Sequence, residues 1–317
     1  MANNTMKKVL AVVLIGSMAA SLAACGKPSA KKLSDVAEKK FKAEQIELED
    51  IEDLDQDEIM DSLEDGIYIH TSGEEIYDEY EHEIDDALEE IEDTADALDK
   101  SGMDLEELYG FDITEWDTDD IGDMTVYAMA DGLDKPEKEL ITQGALVIEF
   151  TDKAKANDAF YNAGQLFLEQ SEIDTKGLNK NEFICKKSKF QFIVNGDADL
   201  AMDLVEDLSK MIIDKYGDGE ISYTSEDIKE MREELEEYIP KNIQFVIAVY
   251  YNSGTLTVIF GVSMDDDLDQ ISEIAKALGV PDPTKVVMSD EMYEGFLTYI
   301  ENSLDNLDED LLSNVRF

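Results

Sequence analysis

Two cysteines, two histidines and 77 carboxylates are the residues of this chain most ready to do chemistry. Cys25 closes an apolar leader, and Cys185 stands two positions from Phe183 in an apolar run. If Cys25 is consumed, Cys185 has no partner for an intramolecular disulfide. Its alternation with Phe183 predicts a small core residue rather than a nucleophile. His82 shares helical spacing with Glu79 and Asp86, so a two-histidine, one-carboxylate metal site would arise if the fold brought His70 against it. A solvated helix histidine explains the same text. Asp265-Asp266-Asp267, Asp117 to Asp120 and Glu47 to Asp57 read as solvated acidic faces, because so many acids place carboxylate pairs at every spacing. The sequence holds no Gly-x-Ser-x-Gly elbow, phosphate loop, dinucleotide fingerprint or zinc spacing. No catalytic residue is assigned, and the expectation is a protein that is not an enzyme.

The leader is more specific. Lys7 and Lys8 precede the apolar run Val9 to Gly16 and the small residues Ser17 to Ala24. That is the layout of a secretory signal peptide, and it is too short for a spanning helix, which needs roughly 20 apolar residues. The segment ends Leu22-Ala23-Ala24-Cys25, which resembles the bacterial lipobox. The resemblance implies cleavage between Ala24 and Cys25, a diacylglyceryl group on the Cys25 thiol, and palmitate-type acylation. It places the mature chain on the outer, extracytoplasmic face of the cell membrane, held by lipid and exposed at the cell surface. Residues 1–24 are then a signal peptide. Residues 25–32, Cys25 to Lys32, read as a basic, apolar-poor tether. In acid-rich composition, lipobox and lack of disulfides the chain is similar to acidic lipoproteins of Gram-positive bacteria.

A second local pattern is Asp214-Lys215-Tyr216-Gly217-Asp218-Gly219-Glu220-Ile221-Ser222, which resembles a calcium loop of the EF-hand or dockerin kind. Asp214, Asp218, Glu220 and Ser222 would be its candidate metal ligands. Tyr216 stands where the third loop position needs an oxygen, and Ser225 where the twelfth needs a bidentate glutamate. A Gly-Asp-Gly turn between two helices accounts for the same residues.

The formal net charge of −51 argues against nucleic acid as a partner, since nucleic acid requires basic patches. Hydrophobic residues make up 43% of the chain, too many for a disordered acidic tail.

The elements that would position these groups fall into three stretches. Residues 33–122 read as acidic and mainly helical, with a capping box at Ser72 and Glu75 and an apolar stripe Ile76, Tyr80, Ile84, Leu88, Ile91. Gly66 to His70 reads as a short strand before it. Residues 123–220 form a first α+β unit. Its strands are Met124–Met129 and Ala145–Phe150, followed by a helix from Thr151-Asp152 that buries Ala159, Phe160, Ala163 and Phe167. A hairpin of Phe183–Lys186 and Phe190–Val194 leads to a helix carrying Leu200, Leu204 and Leu208.

Residues 221–317 form a second α+β unit. It contains a helix near Ser225–Tyr238 and a hairpin of Ile243–Tyr250 and Thr255–Phe260 turning at Asn252-Ser253-Gly254. Helices Leu268–Leu278 and Asp290–Leu304 flank a short strand, Lys285–Met288. Gly144, Leu146, Ile148 and Phe150 match Gly254, Leu256, Val258 and Phe260 in spacing, a hint of internal duplication. Tyr250-Tyr251, placed near the hairpin tip, would form a contact patch if exposed. The fold class is α+β, antiparallel hairpins covered on one face by helices. The functional expectation is a membrane-anchored binding or interaction module with an extracellular ligand. A secreted carboxylate- or metal-dependent hydrolase and a weak calcium-binding surface protein are the alternatives.

Overall fold

The computed structural model describes residues 28–48, 50, 56–76, 118–132, 140–178, 181–216, 241–264 and 268–305. The helical stripe beyond Ile76, the helix near Ser225–Tyr238, His82 and Asp265 to Asp267 lie outside them.

Among the described residues hairpins alternate with helices, and the hairpins join one sheet. A helix α1 (Ala30–Val36) continues as a π-helical turn, Ala37–Phe41, and ends at Lys42 in the left-handed region, φ 66°. Strand β1 (Glu44–Gln45), helix α2 (Gln56–Asp65) and strand β2 (Ile67–Ser72) follow. Next come β3 (Ile121–Asp131), β4 (Ile141–Phe150) and helix α3 (Lys153–Gln170). Strands β5 (Phe183–Lys186) and β6 (Lys189–Asp197) precede helix α4 (Ala198–Tyr216). The last described part holds β7 (Gln244–Asn252), β8 (Thr255–Ser263), α5 (Asp269–Leu278) and α6 (Asp290–Asp305).

The eight strands run in the order β1-β2-β3-β4-β8-β7-β6-β5. Only β1 with β2 is parallel; the other neighbours are antiparallel. The α+β class is therefore realised as one mixed sheet. The hairpin from residues 221–317 sits between the two hairpins of residues 123–220, so the two stretches share a single sheet.

Helices cover both faces of that sheet, not one as the hairpin pattern predicted. On the front face, Gln143 of β4 accepts the N–H of Ile271 in α5, and Gly261 lies against Ile271 and Leu268. On the back face, Phe150 meets Phe160 of α3 edge-on, with ring centroids 5.9 Å apart, and Phe167 of α3 packs on Phe183 and Phe192. Gln143 and Phe150 are an odd number of residues apart on one strand, and alternation puts them on opposite faces. Six successive residues of β4, Gln143 to Ile148, are buried, which is the run expected of a strand covered twice.

Two-sided cover also relocates Tyr250 and Tyr251. Each is about 1% exposed, so they form no surface patch. β7 runs on to Asn252, and the turn is made by Ser253 and Gly254, with φ of 51° and 91°. Both residues lie in the left-handed region that two-residue hairpins with right-handed twist require. Tyr250 donates to the carbonyl of Pro281 at 2.8 Å, whereas the Tyr251 hydroxyl accepts the Gly254 N–H at 2.9 Å and locks the turn.

The expected strand Lys285–Met288 is absent. Asp282 caps a 3₁₀ turn, Pro283–Lys285, and the Val286 carbonyl accepts from the Asn195 side chain instead of a ladder partner.

The matched segments at Gly144 and Gly254 prove to be paired neighbours, β4 and β8. Val147 lies opposite Thr257 and Gly144 opposite Phe260, so a local two-fold passes through the Val147–Thr257 pair. Such an axis, normal to the sheet, maps each face onto itself. Because α3 follows β4 on the back face and α5 follows β8 on the front, the symmetry extends to the strands alone.

Candidate functional site

The described residues begin three positions after Cys25. Pro28 is already buried, and Ala30, Leu33 and Ala37 are fully buried at 0% exposure. Of the residues 25–32 expected to form a tether, Ala30 to Lys32 instead belong to α1, capped by the Ser29 hydroxyl.

Both polar backbone groups of Ala30 are held by the front face. Its N–H donates to Glu149 Oε1 at 2.9 Å, and its carbonyl accepts from Thr125 Oγ1 at 2.9 Å. Thr125 is fully buried and also lies 2.7 Å from His70 Nδ1. The single hydroxyl proton goes to the Ala30 carbonyl, so Nδ1 of His70 carries the hydrogen in that contact. His70 therefore supports the seat of α1 through Thr125. It is part of the fold's attachment to its N-terminal segment.

Cys185 is half-buried on β5. Gln165 donates to its sulfur at 3.2 Å, and burial pushes the thiol above its ordinary range against that hydrogen bond. This is the environment of an inert core thiol, not of an activated nucleophile.

Among the calcium-loop candidates, Asp214 falls within α4, which continues to Tyr216. Asp218, Glu220 and Ser222 lie outside the described residues. Among the described residues there is no group of three His, Cys, Asp or Glu side chains disposed to hold a metal ion.

A shallow cleft of about 380 Å³ opens between the end of α3 and the start of α6. Glu172, Asp174, Asp290, Glu291 and Glu294 line it, with Ile173 packed on Gly295. Glu172 adopts φ 54° where α3 stops, a position usually given to glycine. Its field repels anions and favours cationic groups, and the carboxylates stand open to solvent.

Glu182 was missed by sequence reasoning. It is fully buried, its Oε1 accepts the N–H of Ser289 just ahead of α6, and its Oε2 has no hydrogen-bond partner among the described residues. Nothing but the fold reveals it, since one glutamate among so many carries no local mark. Among the described residues no helix is long and apolar enough to cross a membrane. No family model matches the chain, and the searches of curated proteins and of solved structures returned no similar protein.

Proposed function

We propose that the chain is a lipid-anchored extracytoplasmic protein acting as a binding or interaction module rather than as an enzyme. The carrying observation is the leader ending Leu22-Ala23-Ala24-Cys25, followed after two residues by Pro28, which is buried. A thiol at that junction gains two acyl chains, enough for stable membrane attachment where one chain is marginal. The clamped Ala30 supports the same reading, because an anchored domain needs a fixed point of attachment. The strongly negative charge makes anionic ligands, nucleic acid included, poor partners.

The test is metabolic labelling with palmitate in a bacterial host, combined with membrane fractionation. The wild-type chain should incorporate label and sediment with membranes. Cys25→Ser should lose both. Label retained in Cys25→Ser would remove the anchoring role from this residue.

A further inference from the structure

We propose that residues 28–42 form a latch that charge holds on the front face, opening as one unit before the sheet does and lengthening the link to Cys25. The latch carries Lys31, Lys32, Lys39, Lys40 and Lys42, all exposed, against Asp35 and Glu38. From Ala43 onward the chain holds 75 acidic and 18 basic residues. A basic segment therefore lies on an acidic body, and at low ionic strength the two attract well beyond contact distance.

Apolar burial alone holds this segment weakly. Leu33 is the one large side chain of residues 28–42 that is fully buried; Ala30 and Ala37 add only methyl groups, and half-buried Phe41 stacks on Tyr127 with ring centroids 5.2 Å apart. Polar fastenings sit at both ends, and each end uses an acid of the body. Glu149 accepts the Ala30 N–H at 2.9 Å, and Glu273 of α5 pairs with Lys40. The second pair is half-exposed, the kind that salt screens.

Backbone geometry marks where the latch ends. Residues Ala37–Phe41 form a π-helical turn, a rare arrangement that recurs at functional positions, and Lys42 follows at φ 66°, a value usually left to glycine. Immediately beyond, the Glu44 and Ile46 N–H groups donate to the Gly66 and Tyr68 carbonyls, at 2.9 and 3.0 Å. Residues before Lys42 are thus held by side chains and caps, those after it by a strand ladder. Pro28 stands three positions after Cys25 and Ala43 eighteen, so opening raises the available chain length from about 11 Å to about 60 Å. On a chain acylated at Cys25, the reading proposed above, the latch sets how far the body can stand from the bilayer.

Amide hydrogen exchange on the full chain, read by mass spectrometry, tests the latch without lipid. Raising NaCl from about 0.01 M to about 1 M shortens the screening length from about 30 Å to about 3 Å. Amides of residues 30–42 should then exchange at least threefold faster, whereas those of β4 should stay unchanged or slow, because salt relieves repulsion among the body's acids. At low salt, Glu273→Gln should accelerate exchange over residues 30–36 as much as over residues 37–42, the mark of one opening unit. Lys31→Gln combined with Lys32→Gln should weaken the salt response. Salt that slows exchange of the latch or leaves it unchanged overturns the proposal, as does a Glu273→Gln effect confined to residues 37–42, which is end fraying. Matched thermal melts show that the variants are folded. Absence of palmitate from Cys25 is a separate result, which removes the membrane consequence while the exchange rates decide the latch.

Discussion

The backbone N–H of Ala30 donates to Glu149 Oε1 at 2.9 Å across a separation of 119 residues. It ties the first residue of α1 to the front face next to the end of β4. Thr125 holds the carbonyl of the same residue, so α1 depends on two side chains of two strands. Glu149→Ala should cost about 1 kcal/mol, the ordinary net value of such a bond. Thr125→Val should cost about 1–3 kcal/mol, because it leaves a buried carbonyl unpaired. Trypsin cleavage at Lys31 or Lys32 should accelerate in both variants, and Glu149→Gln, which keeps an acceptor oxygen, should stay near wild type. In a double-mutant cycle the pair should couple through their shared residue. Unchanged cleavage in all three variants would show that α1 is held by Leu33 and Ala37 alone.

Glu182 links the start of β5 to the start of α6. Its Oε1 accepts the Ser289 N–H, while Oε2 is buried without a hydrogen-bond partner among the described residues. A buried carboxylate is costlier than an amide of the same shape. Glu182→Gln retains the acceptor and should match or exceed wild-type stability in urea. Glu182→Ala leaves the Ser289 N–H unpaired beside a new void and should lose roughly 2–3 kcal/mol. If alanine were tolerated as well as glutamine, the contact would have no structural weight.

Local text was legible because local physics writes it. The Ser72 capping box is present, with the Ser72 N–H on Glu75 Oε2 at 2.9 Å and the Glu75 N–H on Ser72 Oγ at 3.2 Å. The predicted hairpins at Lys187-Ser188 and near Gly254 formed, since turn chemistry acts within a few residues. Sheet order was not legible, because alternation tells which face a side chain takes and not which strand lies beside it. The continuous buried run of β4 fits a strand covered twice, but its text reads equally as half of a hairpin covered on one face, which is what the sequence led us to expect. The lipid-attachment role given to Cys25 rests on the sequence alone. The seat of α1 was hidden because Gly26 to Lys32 is poor in apolar residues, and its docking uses a small Ala30 and two distant polar side chains.

Gly164 sets how closely α3 approaches the sheet. A methyl group there would sit 2.1 Å from Phe190 Cε2 and 2.6 Å from Cys185 Sγ. Gly164→Ala gains about 1 kcal/mol of helix propensity, but overpacking at this contact costs about 1–3 kcal/mol. Net destabilisation is expected in thermal melts. Because burial also keeps the Cys185 thiol protonated, alkylation of Cys185 should be slow in the native chain and faster in Gly164→Ala. Rates that did not differ would place the adjustment away from Cys185.

Asp282 supplies the pH dependence that can be assigned to one residue. Burial works against its charge, yet hydrogen bonds from Thr284 and Ser272 and the nearby Lys285 ammonium outweigh it, and the carboxyl sits below its ordinary 3.8. Its Oδ1 accepts the Thr284 N–H at 3.1 Å and the Thr284 hydroxyl at 2.7 Å, fixing the 3₁₀ turn. That turn stands next to Pro281, whose carbonyl takes the Tyr250 hydroxyl, and its Thr284 carbonyl accepts from Asn195. A carboxyl with a depressed folded-state pKa adds stability that is complete above the unfolded value and disappears as pH falls through the folded one. Asp282→Ala should therefore be less stable than wild type at neutral pH, by about 0.5–1 kcal/mol for a partly exposed cap. The gap should narrow as pH drops below about 3.8, where the wild-type carboxyl takes up its proton. Urea melts of both chains across that range provide the measurement, and a gap independent of pH would mean that the carboxylate charge plays no part in holding the turn.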